Sequence, residues 1–442
     1  MRIALVLVAL TVVPVLAAPG LDRNTQKRIE AFGVKWWKAR PATKFEEWDE
    51  QTRAALLREA ADFGPIGEGD WLAVRDALWK SVKKYGPKGK PGAKLTIESP
   101  YGPLWAFVGG KGSKGKGLIL GLHGGGKGAG SASEPKGTWQ HKSCMGLYPQ
   151  GLVLTGDNWN TVHGEKHILT LIEIAKAQYD IDPDRVYSMG FSMGGTGSWH
   201  MAGRFPDLLA GAAPCAGVVM ARPKSAVPTK EEVVSIQYGI VPNVRNLAMY
   251  YFIGLEDRNC PPGTYLFVED VLKELRGADP EGYSKVRFKS YPGLAHAMPP
   301  GEPGNCINWL MEQKRDAYPT RIVWEYAYSP YPLPEEHDKT RRFVQRCFYW
   351  IRCDHPMDRM EIVAEREGNE FDFSFVGAEP EGAYLLLNPA MIDVKADVVV
   401  RLDGEEIYRG KPEPTFRDVV ESLDARLDKT LVFDRNVPLW KE

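Results

Sequence analysis

Apolar positions along the chain change their spacing twice, and the changes divide it into three regions. Residues 18 to 94 carry helix-period patterns. Thr43-Lys44-Phe45-Glu46 has the form of a capping box, so a helix is expected from there towards Phe63, ended by Gly64-Pro65. Asp70 opens a second helix, with Trp71, Val74, Leu78, Val82 and Tyr85 on one stripe. Such a stripe is expected to dock on the next domain.

Residues 95 to 318 read differently. Lys88 to Gly92 is a Gly/Pro/Lys linker. Leu95-Thr96-Ile97 and Leu104 to Val108 read as strands, and Leu118 to Leu122 is a continuous apolar run, the mark of a central buried strand. That run ends in His123-Gly124-Gly125-Gly126. Strand and helix then alternate: strand Leu152 to Leu154, helix Ile168 to Tyr179, strand Arg185 to Met189, a helix from Thr196, and strands Gly211 to Ala213 and Met249 to Ile253. Helix Tyr265 to Leu275, strand Val286 to Ser290 and helix Cys306 to Arg315 complete the series. Alternation of this kind predicts an α/β fold with a doubly wound, mostly parallel sheet and helices on both faces.

After Pro319 short alternating segments take over, and residues 320 to 442 are expected to form a C-terminal β-sandwich-like domain. Strands are expected at Thr320 to Val323, Phe343 to Arg352, Phe371 to Phe375, Ala383 to Leu387 and Leu431 to Phe433. Val398 to Leu402 and Ile407-Tyr408, joined by Asp403-Gly404-Glu405-Glu406, form a hairpin signal. Val419 to Arg426 is the one helix-like segment in this region.

Composition narrows the function classes. A length of 442 residues is too much for one core. A formal net charge of -1 gives no support for nucleic-acid or anionic-membrane partners. Met1-Arg2 followed by the apolar run Ile3 to Leu16 and by Ala17-Ala18 reads as a signal peptide of residues 1 to 17, too short for a permanent membrane anchor. The mature protein is therefore expected to be secreted or periplasmic. In such a compartment six cysteines can form disulfides. A bridge between Cys260 and Cys306 is expected, because Cys260 lies just after the acid loop, Cys306 lies at the helix after the His296 loop, and a triad must bring those two loops together. Cys347 and Cys353 are excluded as a pair if they share one straight strand. No Cys/His spacing implies a metal, and no cofactor is called for.

The chemistry centres on Gly190-Phe191-Ser192-Met193-Gly194-Gly195, a G-x-S-x-G pattern between an expected strand and an expected helix. Strand, sharp turn and helix make this a nucleophile elbow, with Ser192 as the nucleophile. A serine hydroxyl needs a base held by a carboxylate. The acid is expected at the end of the strand finishing near Ile253, where Asp257 is the choice and Glu256 the rival. His296 follows the last strand, in a loop stiffened by prolines. His200 is expected to pack behind the serine, and His123 to brace its loop. The oxyanion needs preformed N–H donors. Met193 supplies one, and Gly124 or Gly125 the other. Asp157, Asn158, Trp159 and His163 follow a central strand at its carboxyl end. Trp159 and His163 there suit the lining of an acyl or sugar pocket. An ordinary helix-capping loop is an equal alternative.

Residues 96 to 315 resemble the secreted esterase branch of the α/β-hydrolases that includes polyhydroxybutyrate depolymerase-like and feruloyl esterase-like enzymes. The resemblance is carried by Leu122 to Gly126, by Ile181-Asp182-Pro183-Asp184-Arg185-Val186-Tyr187, by Gly190 to Gly195, by Arg204 to Asp207 and by Gly254 to Pro262. The family often has histidine before the glycine of the acid loop, where this chain has Ile253. The resemblance implies an α/β-hydrolase fold and a serine carboxylic-ester hydrolase acting on an ester substrate, polymeric carbohydrate or polyester included. A serine peptidase of the prolyl-oligopeptidase type is the nearest alternative. A non-catalytic carbohydrate-binding protein on the same scaffold is the other.

Overall fold

The computed structural model describes residues 21–90, 94–110, 114–125, 130–152, 158–219, 241–326, 342–357, 360–377 and 380–440. The leader expected at residues 1 to 17, Gly126, Asp157 and most of the strand expected at Leu152 to Leu154 lie outside these residues.

An eight-stranded sheet forms the centre. Its strands are β1 (Lys94–Ile97), β2 (Leu104–Gly109), β3 (Gly117–Leu122), β4 (Cys144–Pro149), β5 (Val186–Phe191), β6 (Gly211–Cys215), β7 (Ala248–Gly254) and β8 (Val286–Tyr291). They lie in the order β1-β2-β4-β3-β5-β6-β7-β8. β1, β2 and β4 pair antiparallel, and every pairing from β4 through β3 to β8 is parallel. Parallel strands need covering on both faces, and β3, β6 and β7 are buried along their whole length. The apolar residues divide by alternation. Leu118, Leu120, Met249 and Tyr251 face one cluster, while Ile119, Tyr187, Ala213 and Tyr250 face the other. The helices of this region are α4 (Ser133–Thr138), α5 (Val162–Tyr179), α6 (Met193–Arg204), α7 (Gly263–Ala278) and α8 (Glu302–Met311).

Three helices precede the sheet: α1 (Arg23–Ala39), α2 (Glu50–Ala61) and α3 (Trp71–Tyr85). The expected capping box does not start a helix. Thr43 does accept the Phe45 N–H and Glu46 the Ala42 N–H, but the turn stays local. Helix α2 begins later, where Asp49 accepts the Thr52 N–H. The stripe Trp71, Val74, Leu78 and Val82 is buried as expected, yet its main partners are not the sheet. It packs with Phe32 and Trp36 of α1 and with Phe416, Val419 and Leu423 of α9 (Phe416–Arg426), near the far end of the chain.

The C-terminal region is a sandwich of two sheets. One has four strands in the order β10 (Cys347–Phe348), β11 (Ile351–His355), β14 (Glu381–Leu387), β17 (Arg435–Pro438). The other has five, in the order β16 (Glu405–Gly410), β15 (Val398–Leu402), β13 (Glu370–Gly377), β12 (Met360–Glu367), β9 (Arg321–Glu325). A shared core of Trp324, Phe348, Trp350, Phe371 and Leu385 lies between them. The segment expected as one strand at Phe343 to Arg352 is a hairpin, turned at Tyr349 with φ 48°. Leu431 to Phe433 is a buried connection, and the last strand begins just beyond it, at Arg435.

All six cysteines are free, so the expected Cys260–Cys306 bridge is not present. Cys260 belongs to the apolar cluster on one face of the central sheet. Cys306 belongs to the cluster on the opposite face, beside Cys215. The two loops meet, but their thiols point to different sides. Cys347 and Cys353 lie on adjacent strands of the hairpin, with Cys347 opposite Arg352, so they do not share one straight strand.

Candidate active site

The nucleophile elbow follows from what its turn excludes. Ser192 sits between β5 and α6 at φ 58° and ψ -125°, a conformation that L-residues rarely adopt. A Cβ on Gly190 would lie 2.3 Å from the Gly194 backbone, and one on Gly194 would lie 2.0 Å from the Leu122 carbonyl oxygen. Strand, helix and neighbouring strand therefore approach only because these positions are glycine. The Ser192 N–H donates to the Cys215 carbonyl at 3.0 Å and ties the elbow to the next strand.

Two loops bring the other groups to Ser192. The acid loop follows β7 and the histidine loop follows β8, its parallel neighbour. Backbone bonds join them: the Leu255 N–H donates to the Tyr291 carbonyl and the Glu256 N–H to the Leu294 carbonyl, both at 2.9 Å. Asp257 is buried, and its Oδ1 accepts the N–H groups of Asn259 at 2.9 Å and Cys260 at 2.8 Å. Oδ2 is left to face His296 Nδ1 at 2.7 Å. His296 Nε2 lies 2.9 Å from Ser192 Oγ. With Nδ1–H donating to the carboxylate, Nε2 is the acceptor for the serine hydroxyl. Glu256, the rival acid, is exposed to solvent.

The residues expected to receive an oxyanion lie at the end of β3 and the start of α6. Met193 is the first residue of α6, where N–H groups lack helical acceptors and carry the positive end of the dipole. Across from it, Gly124 packs against Ser192, and Gly125 adopts φ 83°. His123 holds this loop. Its Nε2 accepts the Gly151 N–H at 2.9 Å, which leaves Nδ1–H to donate to the Gly124 carbonyl at 2.7 Å. Burial pushes its pKa down and keeps the ring neutral.

Trp159 and His163 are both buried, each 1% exposed. The Trp159 indole N–H donates to the His123 carbonyl at 2.9 Å, and its ring meets the His123 ring edge-on at 5.0 Å. His163 bonds Thr161 Oγ1 at 2.8 Å and lies beside Tyr101, 5.4 Å between rings. Burial pushes its pKa down to about 4. Both side chains support the loop rather than present a face to solvent. His200 packs against the buried Glu165 at 2.8 Å, as expected for a residue behind the serine.

Two neighbours of the serine escaped sequence reasoning. Phe191 lays its ring against His296, 4.8 Å between centroids. It occupies the variable position of the motif, so its aromatic character was the available signal. Glu134, on the short helix α4, brings its carboxyl over Gly124. Nothing in the local sequence marks it. Among the described residues no group of three His, Cys, Asp or Glu side chains is arranged to hold a metal, and no helix is long and apolar enough to cross a membrane.

Strand order, elbow and converging loops together define an α/β-hydrolase fold. No family model matches the sequence, and no curated protein matches it. Among solved structures the chain is similar to a thermostable esterase, at 20% identity and a TM-score of 0.36, over 50% of this chain and 62% of that one. It is similar to esterase 2 of Thermogutta terrifontis, at 14% identity and a TM-score of 0.36, over 51% of this chain and 92% of that one. It is also similar to the acylaminoacyl peptidase of Pyrococcus horikoshii, at 15% identity and a TM-score of 0.36, over 51% of this chain and 40% of that one.

Proposed function

We propose that this chain is an exported serine hydrolase of carboxylic esters, working through Ser192, His296 and Asp257. The observation that carries the reading is the continuous bonding of Asp257 Oδ2 to His296 Nδ1 at 2.7 Å and of His296 Nε2 to Ser192 Oγ at 2.9 Å. Ser192 attacks the ester carbonyl while His296 takes its proton at Nε2. The imidazolium so formed is stabilised by Asp257, which stays ionised. The oxyanion is received by the N–H of Met193 and an N–H of the Gly124–Gly125 loop. His296 returns the proton to the departing alcohol. It then deprotonates a water that frees the acid and restores Ser192.

The substrate class follows from the resemblance to polyhydroxybutyrate depolymerase-like and feruloyl esterase-like enzymes: acyl esters on polysaccharide, or polyesters. Export is part of the same proposal and rests on the apolar run Ile3 to Leu16. A panel of chromogenic esters and peptides tests the reading. Turnover of esters with peptides untouched is the expected result. Cleavage of peptides alone would move the protein to the peptidase class.

A further inference from the structure

Glu134 has no part in the relay, yet it stands beside it. A Cβ placed on Gly124 would lie 3.4 Å from Ser192 Cβ and 3.7 Å from Glu134 Oε1. The carboxyl oxygen and the serine Cβ are therefore no more than about 7 Å apart. Gly124 is also one of the two loop residues proposed to receive the oxyanion. Glu134 is exposed as a residue, yet desolvation of its carboxyl beside Gly124 pushes its pKa up against the pull of the Gly124 N–H.

A carboxylate at this place has consequences for what can be bound. It accepts hydrogen bonds and donates none. It repels a second anion and attracts a cation. The developing oxyanion feels it with every substrate, so that part cancels between substrates. What does not cancel is the charge of the group flanking the scissile carbonyl.

The geometry points to Glu134 as a specificity-determining residue, one that selects esters bearing hydroxyl or cationic groups beside the carbonyl and rejects anionic ones. This rests on the esterase reading and narrows it. Neutral, hydroxyl-rich carbohydrate esters fit, and esters of acidic sugars or dicarboxylic half-esters do not.

The test measures kcat/KM by pH-stat for two sets of esters. One set varies the acyl end: ethyl butyrate, ethyl hydrogen succinate and ethyl 4-(trimethylammonio)butyrate. The other varies the alcohol: butyrylcholine and its neutral isostere 3,3-dimethylbutyl butyrate. The readout is the ratio within a set, which a general loss of activity or fold does not move. Wild type is expected to favour the cation over the anion by about tenfold in the acyl set, and over its neutral isostere by about threefold in the alcohol set, as for screened charges near an exposed carboxylate. Glu134→Gln, which keeps shape and removes charge, is expected to bring that ratio to within about twofold of unity in the set that shows it. The proposal is overturned if wild type hydrolyses these esters without discrimination. It is equally overturned if Glu134→Gln leaves both ratios where wild type has them. Wild type that hydrolyses no ester at all would overturn the esterase reading itself.

Discussion

The central sheet and the C-terminal sandwich treat charge in opposite ways. In the sheet, strands are apolar along their buried length and charge gathers where they end. Asp257 and His296 sit one loop beyond β7 and β8, held by backbone bonds and available to Ser192. Where the sandwich meets the rest of the molecule, charge is buried outright. Arg315 bonds Asp184 at 2.6 Å and Asp428 at 3.0 Å, and Lys176 bonds Asp428 at 2.6 Å. Arg426 bonds Asp207 at 2.8 Å, and Arg40 bridges Glu173 and Asp424. Burial alone would raise the Asp428 pKa, but Arg315 and Lys176 outweigh it and hold the carboxyl well below its ordinary range. One region holds its charge at the histidine proposed to take the Ser192 proton. The other uses charge to fix three parts of the chain in one register.

Perturbing each region should therefore give different signatures. The largest effect belongs to the relay. His296→Ala is expected to cost about 10⁵- to 10⁶-fold in kcat, and Asp257→Asn about 10⁴-fold, because the amide disturbs the tautomer and leaves the base in place. Both should melt near wild type, which steady-state kinetics and calorimetry together check. Asp428→Ala should show the reverse. It leaves Lys176 buried without its carboxylate and Arg315 with Asp184 alone, so stability should fall by about 3–5 kcal/mol in denaturant titration. Activity per folded molecule should persist.

A third perturbation divides the sandwich from its seam. A fragment of residues 320 to 442 keeps both sheets and their shared core but uncovers Phe416, Val419 and Leu423 of α9. It is expected to melt cooperatively, well below the whole chain. A non-cooperative melt would make the sandwich an extension of the hydrolase rather than a domain.

A smaller effect is expected at Glu325 on β9, opposite Glu361. Burial, then the nearby Glu361, raises its pKa from 4.5 to about 8. The folded state thus holds a proton that the unfolded state has released. The stability this group contributes is full below about pH 4.5 and is lost as pH rises through about 8. Glu325→Gln should gain on wild type over that window, on the order of 2 kcal/mol at the top of it. Melts at pH 4 and pH 8.5 read the difference directly. Smallest of all, Glu256→Gln should be near neutral in kcat/KM, since its side chain stands in solvent.

The same contrast governs what could be read from sequence. Central strands such as Leu118 to Leu122 are buried on both faces and show as apolar runs. The elbow glycines announce a turn too tight for a Cβ. The acid and histidine loops follow because chain order in such folds is fixed by topology. β4 carries no strand signal of its own, because Cys144-Met145-Gly146-Leu147-Tyr148-Pro149 contains glycine and proline and lacks β-branched residues. Its strand character comes from pairing with β2 and β3. The docking of α3 on α9 and the approach of Glu134 to Gly124 join residues remote in sequence, and no local pattern records either contact. The misplaced disulfide has the same origin. Loop convergence was legible, but the sheet face on which each thiol lies was not.

The account turns on Ser192 being a nucleophile activated by His296. Labelling with a fluorophosphonate, followed by peptide mapping, tests this most directly. Wild type is expected to take up one equivalent at Ser192, with no labelling of Ser192→Ala and near-complete loss in His296→Ala. Equal labelling of wild type and Ser192→Ala, or turnover of esters by Ser192→Ala at the wild-type rate, would contradict it.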